Sequence, residues 1–116
     1  MKIGFYAPMK SPTYASPSGD RTIARLLMRA LEAAGHRVQL VSELRSLDIA
    51  GEPTEQRRIE TQGRSEIERI LENQRTDPKN RIDLWFTYHL FHKAPDWIGP
   101  IISQHLNIPY EIGRAH

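Results

Sequence analysis

Cysteine is absent from these 116 residues, which excludes disulfides and every metal site built on thiolate. Charge of one sign is also missing. Sixteen basic residues meet fourteen acidic ones, and a net charge of +2 is too balanced to argue for nucleic acid. Nor do aromatics interleave with Lys and Arg in a binding stripe. The apolar runs are too short to span a bilayer. The opening "MKIGFYAP" has one Lys and then a strand-length apolar run, too short and unsuitably flanked for a secretion signal. There is no internal repeat and no low-complexity segment. What remains is 39% hydrophobic and 26% charged, the composition of an ordinary soluble domain or part of a larger one, with room for one core. A cytoplasmic location is the expectation.

Lys2 to Ala7 is a near-continuous apolar run, as a buried parallel strand requires. Ile23, Leu26, Leu27, Ala30, Leu31 and Ala34 repeat at helical spacing and predict an amphipathic helix with that face buried. Gly35 follows as a left-handed cap, with His36 against the helix end. Val38 to Val41 is a second strand, so the first three elements form a strand–helix–strand unit with a right-handed crossover. Thr54 to about Gln74 predicts a long polar helix with a thin buried stripe of Ile59, Ile67, Ile70 and Leu71. Gly63 interrupts that helix at about 1 kcal/mol relative to Ala. Glu60 and Arg64 form an i, i+4 pair on it. Ile82 to Tyr88 is a third strand. Pro100 to Leu106 is a short helix with Ile101 and Ile102 inward and Asn107 as its cap, and "IPY" at 108–110 opens a fourth strand. The pattern β-α-β-α-β-α-β predicts an open, Rossmann-like parallel sheet with flanking helices. Ligands of such sheets bind outside the carboxyl ends of the strands.

Two segments fall at that edge. The first, "YAPMKSPTYASPSGD", spends about a dozen residues between strand and helix where a few suffice, and ends at a helix N-terminus. Free N–H groups and the positive end of the helix dipole make such a terminus a place for anions. Two readings stand side by side. Ser18 and Gly19 face a diphosphate, or Ser18 or Asp20 simply caps a helix after a long loop. "PSGD" is neither G-x-G-x-x-G nor a P-loop, and Asp20 competes with a phosphate for the same N–H groups.

The second segment is "YHLFHK". His89 and His92 with Lys93 follow the third strand, where imidazole can bond a sugar hydroxyl or a phosphate. H-x-x-H in a loop, without Cys or a partnered carboxylate, is no metal pattern, and no Ser–His–Asp set is present. His89, nearest the strand end, is the first candidate to orient and polarise; His92 is the alternative. Trp85 and Trp97 are packing residues, Trp97 with a second reading as lining for an acceptor cleft. His105 is an exposed helix residue. Arg57, Arg58, Arg64 and Arg69 make a solvated helix face, and the interleaved Glu residues leave a membrane-surface role without support.

Together these stretches resemble the start of a GT-B-fold glycosyltransferase of glycosyltransferase family 4, from Lys2 to about Tyr110. "MKIGFYAP" resembles the family's first strand. "PSGDRTIARLLMRALEAAGHRVQLVS" resembles its Gly-rich loop, first helix and second strand. "DLWFTYHLFHKAPDW" resembles the segment with its active-site histidine. The resemblance implies a retaining hexosyltransferase-type enzyme of two Rossmann-like domains. It uses a nucleotide-sugar as co-substrate, needs neither metal nor other cofactor, and acts on a glycan, lipid or small-molecule acceptor. It implies that Ser18 and Gly19 meet the donor diphosphate and that His89 (or His92) orients the donor sugar; Lys93 and Trp97 are the candidate substrate-binding residues beside them. Many members have Gly-Gly where this chain has Ser18-Gly19.

On this reading residues 1–110 are an incomplete N-terminal, acceptor-side domain. Residues 111–116, "EIGRAH", match the translation of a sequencing adapter and are expected to be a non-native tail. The donor domain with its acidic pair is missing, so the fragment by itself is expected to be inactive. The alternative is a stand-alone α/β module of flavodoxin or receiver type that binds an anion or a partner. A receiver wants an acidic cluster after the first strand, where this chain has Ala7-Pro8.

Overall fold

A computed structural model describes residues 1–8, 19–46, 51–88 and 95–113, with residues 19–21 described by backbone alone. In chain order the elements are β1 (Lys2–Tyr6), α1 (Gly19–Ala33), β2 (Arg37–Ser42), α2 (Pro53–Thr76), a 3-10 turn (Pro78–Asn80), β3 (Leu84–Tyr88), α3 (Gly99–Leu106) and β4 (Tyr110–Gly113). The four strands form one sheet in the order β2-β1-β3-β4, and every pairing is parallel. Parallel neighbours require crossovers, which the three helices supply. The chain therefore has the Rossmann-like α/β architecture that its alternating pattern predicts.

All five residues of β1 are buried, as a central strand covered on both faces must be. Alternation along the strands sorts the core into two layers. Phe5, Ala7 and Tyr88 pack under α1 against Ala24, with Leu27, Met28, Leu31, Val38, Leu40 and Phe86 around them. The Phe5 and Phe86 rings stack with centroids 5.6 Å apart. Tyr6, Val41, Ile82 and Trp85 face the other way, onto Ile70 of α2 and Ile98 and Ile102 at α3. Burying a side chain of this size contributes about 1.5–3 kcal/mol.

The buried face of α1 is rotated from the one expected. Ala24, Leu27, Met28 and Leu31 line the sheet, whereas Ile23 and Leu26 are 42% and 55% exposed and Ala30 and Ala34 are open. The spacing 24-27/28-31 and the spacing 23-26-30-34 are both helical, and only contact with the sheet chooses between them. Ile101 is likewise 44% exposed while Ile102 is fully buried, because adjacent residues on a helix lie about 100° apart and α3 covers the sheet with one face.

Helix ends follow their sequence signals. Gly35 (φ 97°) donates to the Glu32 carbonyl while the His36 amide reaches back to Leu31, a six-to-one closure that needs a left-handed residue. Asn107 (φ 54°) does the same for α3, with Ile108 bonded to Ser103. On α2 the Glu60–Arg64 pair forms at 3.0 Å, alongside Arg58–Glu55, Arg69–Glu66 and Arg75–Glu72 pairs. Exposed pairs of this kind are each worth a few tenths of a kcal/mol. Gly63 has a packing reason. A Cβ there would lie 3.1 Å from the Trp97 Cβ, so glycine lets the start of α3 approach the middle of α2.

Helix α2 holds the end of β2, the strand at one edge of the sheet. Arg69 Nη2 donates to the Val41 carbonyl (2.6 Å) and Ser42 Oγ to Glu66 (2.6 Å), so α2 side chains tie down the end of this edge strand. No helix among the described residues is long and apolar enough to cross a membrane.

Candidate functional site

The topology makes one switch point. From β1 the chain turns through α1 to β2 on one side; from β2 it crosses back through α2 to β3 on the other. The carboxyl ends of β1 and β3 are thus neighbours whose connections leave in opposite directions, where open α/β sheets bind ligands. Gly19 is the first residue of α1. Ser18, His89, His92 and Lys93 lie outside the described residues, as does the side chain of Asp20. Trp97 stands at the foot of α3 with its Cβ over Gly63, on the α2 side of the sheet, and is 36% exposed.

Around the switch point the structure assembles residues that no motif announced. The β1–β2 register slips between Phe5 and Tyr6, which pair with Leu40 and Ser42. Val41 and Ser42 consequently both turn toward α2, Val41 beside Ile70 and Ser42 onto Glu66. An irregularity of this kind re-aims the strand end, and residues 43–46 then run across the end of β1. The Tyr6 hydroxyl donates to the Leu44 carbonyl (2.7 Å). Ser46, 1% exposed, donates its N–H to the Pro8 carbonyl (2.9 Å) and its Oγ–H to the Pro95 carbonyl (2.7 Å).

Beside this bridge lies a second network, centred on Asp96. Its Oδ1 accepts the amides of Ile98 (2.9 Å) and Gly99 (2.7 Å), capping α3 from just outside the helix. Its Oδ2 accepts the hydroxyls of Thr87 (2.5 Å) and Tyr110 (2.7 Å). Thr87 Oγ1 in turn accepts Trp85 Nε1–H (2.8 Å). One carboxylate thus ties β3, β4 and α3 together. With four donors on it, Asp96 is a structural anchor. A weak signal was readable: Asp96 stands three residues before Gly99-Pro100, the spacing of a cap, and Trp85 and Thr87 share a strand face.

The phenols of Tyr6 and Tyr110 are pushed above the ordinary tyrosine value of 10.0. For Tyr6 the cause is burial first, then the charges of Asp96 and Glu66. For Tyr110 it is burial, then Asp96. A raised phenol holds its proton longer folded than unfolded. Its contribution is therefore complete below pH 10 and is lost as the pH climbs beyond it. Denaturant titrations are expected to show stability flat from pH 8 to 9.5 and falling above 10. The fall is expected to be shallower in Tyr6→Phe and Tyr110→Phe. A fall of equal steepness in both variants would assign the alkaline loss to other groups.

Among the described residues no group of three or more His, Cys, Asp or Glu is placed to hold a metal. Fold and edge together define a doubly wound, Rossmann-like α/β domain with a single switch point between β1 and β3. No family model, curated protein or solved structure matches the chain.

Proposed function

We propose that the chain is the acceptor-side N-terminal part of a retaining, metal-independent glycosyltransferase of the family 4 type. In this reading the donor diphosphate sits at Ser18 and Gly19, and His89, with His92 as the alternative, orients the donor sugar. Lys93 and Trp97 border the acceptor. One observation carries most of the support: α1 begins at Gly19, after the long connection that leaves β1, and the first N–H groups of a helix lie outside its own hydrogen-bond ladder. Dipole and amides there favour a diphosphate. The protein is proposed to be cytoplasmic and to take its sugar from a nucleotide-sugar, with transfer requiring a donor domain that residues 1–116 do not contain.

Titration of ¹⁵N-labelled protein with inorganic pyrophosphate tests the anion site. The Gly19, Asp20 and Arg21 amides are expected to shift and saturate, and sodium chloride at matched ionic strength is expected to leave them in place. Amides 19–21 that stay still, or that follow salt alone, would remove the diphosphate from this helix end.

The strand order favours a second reading. β2-β1-β3-β4 is the order of flavodoxin-type sheets. Saturable binding of flavin mononucleotide, with pyrophosphate inert, would decide for that module.

A further inference from the structure

We propose that Ser46 is a positioning residue that couples the end of β1 to the start of α3 at the switch point. In the sheet order β2-β1-β3-β4 the strands β2 and β3 do not touch, because β1 lies between them. A residue that follows β2 nevertheless bonds to the segment that follows β3, and it does so over the end of β1. Both of its acceptors are carbonyls of prolines, Pro8 and Pro95, which have no N–H of their own and so make no reciprocal bond. Pro8 is fully buried, so its carbonyl depends on a protein donor. One side chain and its own amide thus satisfy both, and hold the roots of the β1 and β3 connections at a set separation. The irregular β1–β2 register directs the chain along this path, and the Tyr6–Leu44 bond pins it one step earlier. The candidate ligand groups lie on the two connections so rooted. The inference rests on the reading above for its ligand but not for its geometry.

Hydrogen exchange on the whole chain, free of ligand, tests the coupling. In Ser46→Ala the amides of residues 6–7 and 96–98 are expected to exchange about tenfold faster, the scale of one lost buried hydrogen bond. The interior of α2 and the Phe5 and Trp85 amides are expected to keep their rates. General destabilisation would speed all of these together and would overturn the proposal. A second variant separates the hydroxyl from the rest of the side chain. Ser46→Thr keeps the Oγ–H donor to the Pro95 carbonyl and is expected to restore the slow exchange of residues 6–7 and 96–98. Exchange in Ser46→Thr as fast as in Ser46→Ala at both segments, with the interior of α2 unchanged, would also overturn it. Pyrophosphate distinguishes the two claims. If Gly19 ignores pyrophosphate while the exchange pattern holds, the diphosphate reading falls and the coupling stands. If Gly19 responds while the pattern fails, the coupling falls and the diphosphate reading stands.

Discussion

Asp96→Ala is expected to destabilise the folded chain by about 3 kcal/mol, the combined scale of a lost helix cap and of buried donors left without an acceptor. The carboxylate is the one acceptor shared by two backbone amides at α3, the Thr87 hydroxyl and the Tyr110 hydroxyl. Thr87 is fully buried, so its hydroxyl cannot turn to water, and the Trp85 indole bond behind it loses its oriented partner. A domain of this size has only about 5–15 kcal/mol in total, so the loss is a large fraction. Asp96→Asn keeps an oxygen for the two amides but presents N–H groups to the hydroxyls. It is expected to cost about half as much, since hydrogen bonds to charged groups are the stronger ones. Chemical denaturation of the three proteins measures both steps. A cost below about 1 kcal/mol for the alanine variant would mean that water reaches these donors and that the network is not closed.

Gly99→Ala is expected to cost about 2–3 kcal/mol, the upper range for an overpacked core site. A Cβ at Gly99 would overlap Asp96 Oδ2 and lie 2.5 Å from both Trp85 Nε1 and Tyr110 Cε1. None of the three can step aside cheaply. The carboxylate is held by four donors, the indole is fully buried, and the Tyr110 ring is held by its hydroxyl. Helix propensity favours alanine over glycine by about 1 kcal/mol in a helix interior but by less at the first turn, so it does not offset the clash. Removing the Asp96 side chain relieves part of the overlap. The Asp96→Ala/Gly99→Ala double variant is therefore expected to lose about 1 kcal/mol less than the sum of its parts. Strict additivity would show that the two residues do not meet.

The alternation of strand and helix was legible because each element carries its own period and its own stop signal. β1 and β3 read as short apolar runs, and the structure has them at Lys2–Tyr6 and Leu84–Tyr88. Gly35 and Asn107 ended their helices where a left-handed residue is cheapest. The Glu60–Arg64 pair needed only helical spacing. The all-parallel sheet followed from the alternation itself, since a strand that returns through a helix enters the sheet in the same direction.

The candidate site was legible in part. Long loop, glycine and histidines pointed to the carboxyl edge, yet Ser18, His89, His92 and Lys93 lie outside the described residues and their roles remain proposals. Ser46 and Asp96 were not legible as a pair of anchors, because their partners lie up to 49 residues away in sequence. Gly63 read as a flaw in α2 because its reason, the Trp97 Cβ, belongs to another element.

By itself the sequence determined what depends on neighbours within a few residues: the order of strands and helices, their caps, their polar and apolar faces in outline, and the class of fold. Only the tertiary structure decided which helical stripe of α1 meets the sheet, which strands become edges, and which polar groups close the switch point. Those outcomes depend on side chains brought together across the sheet, where burial leaves each donor and acceptor to find a partner in the protein.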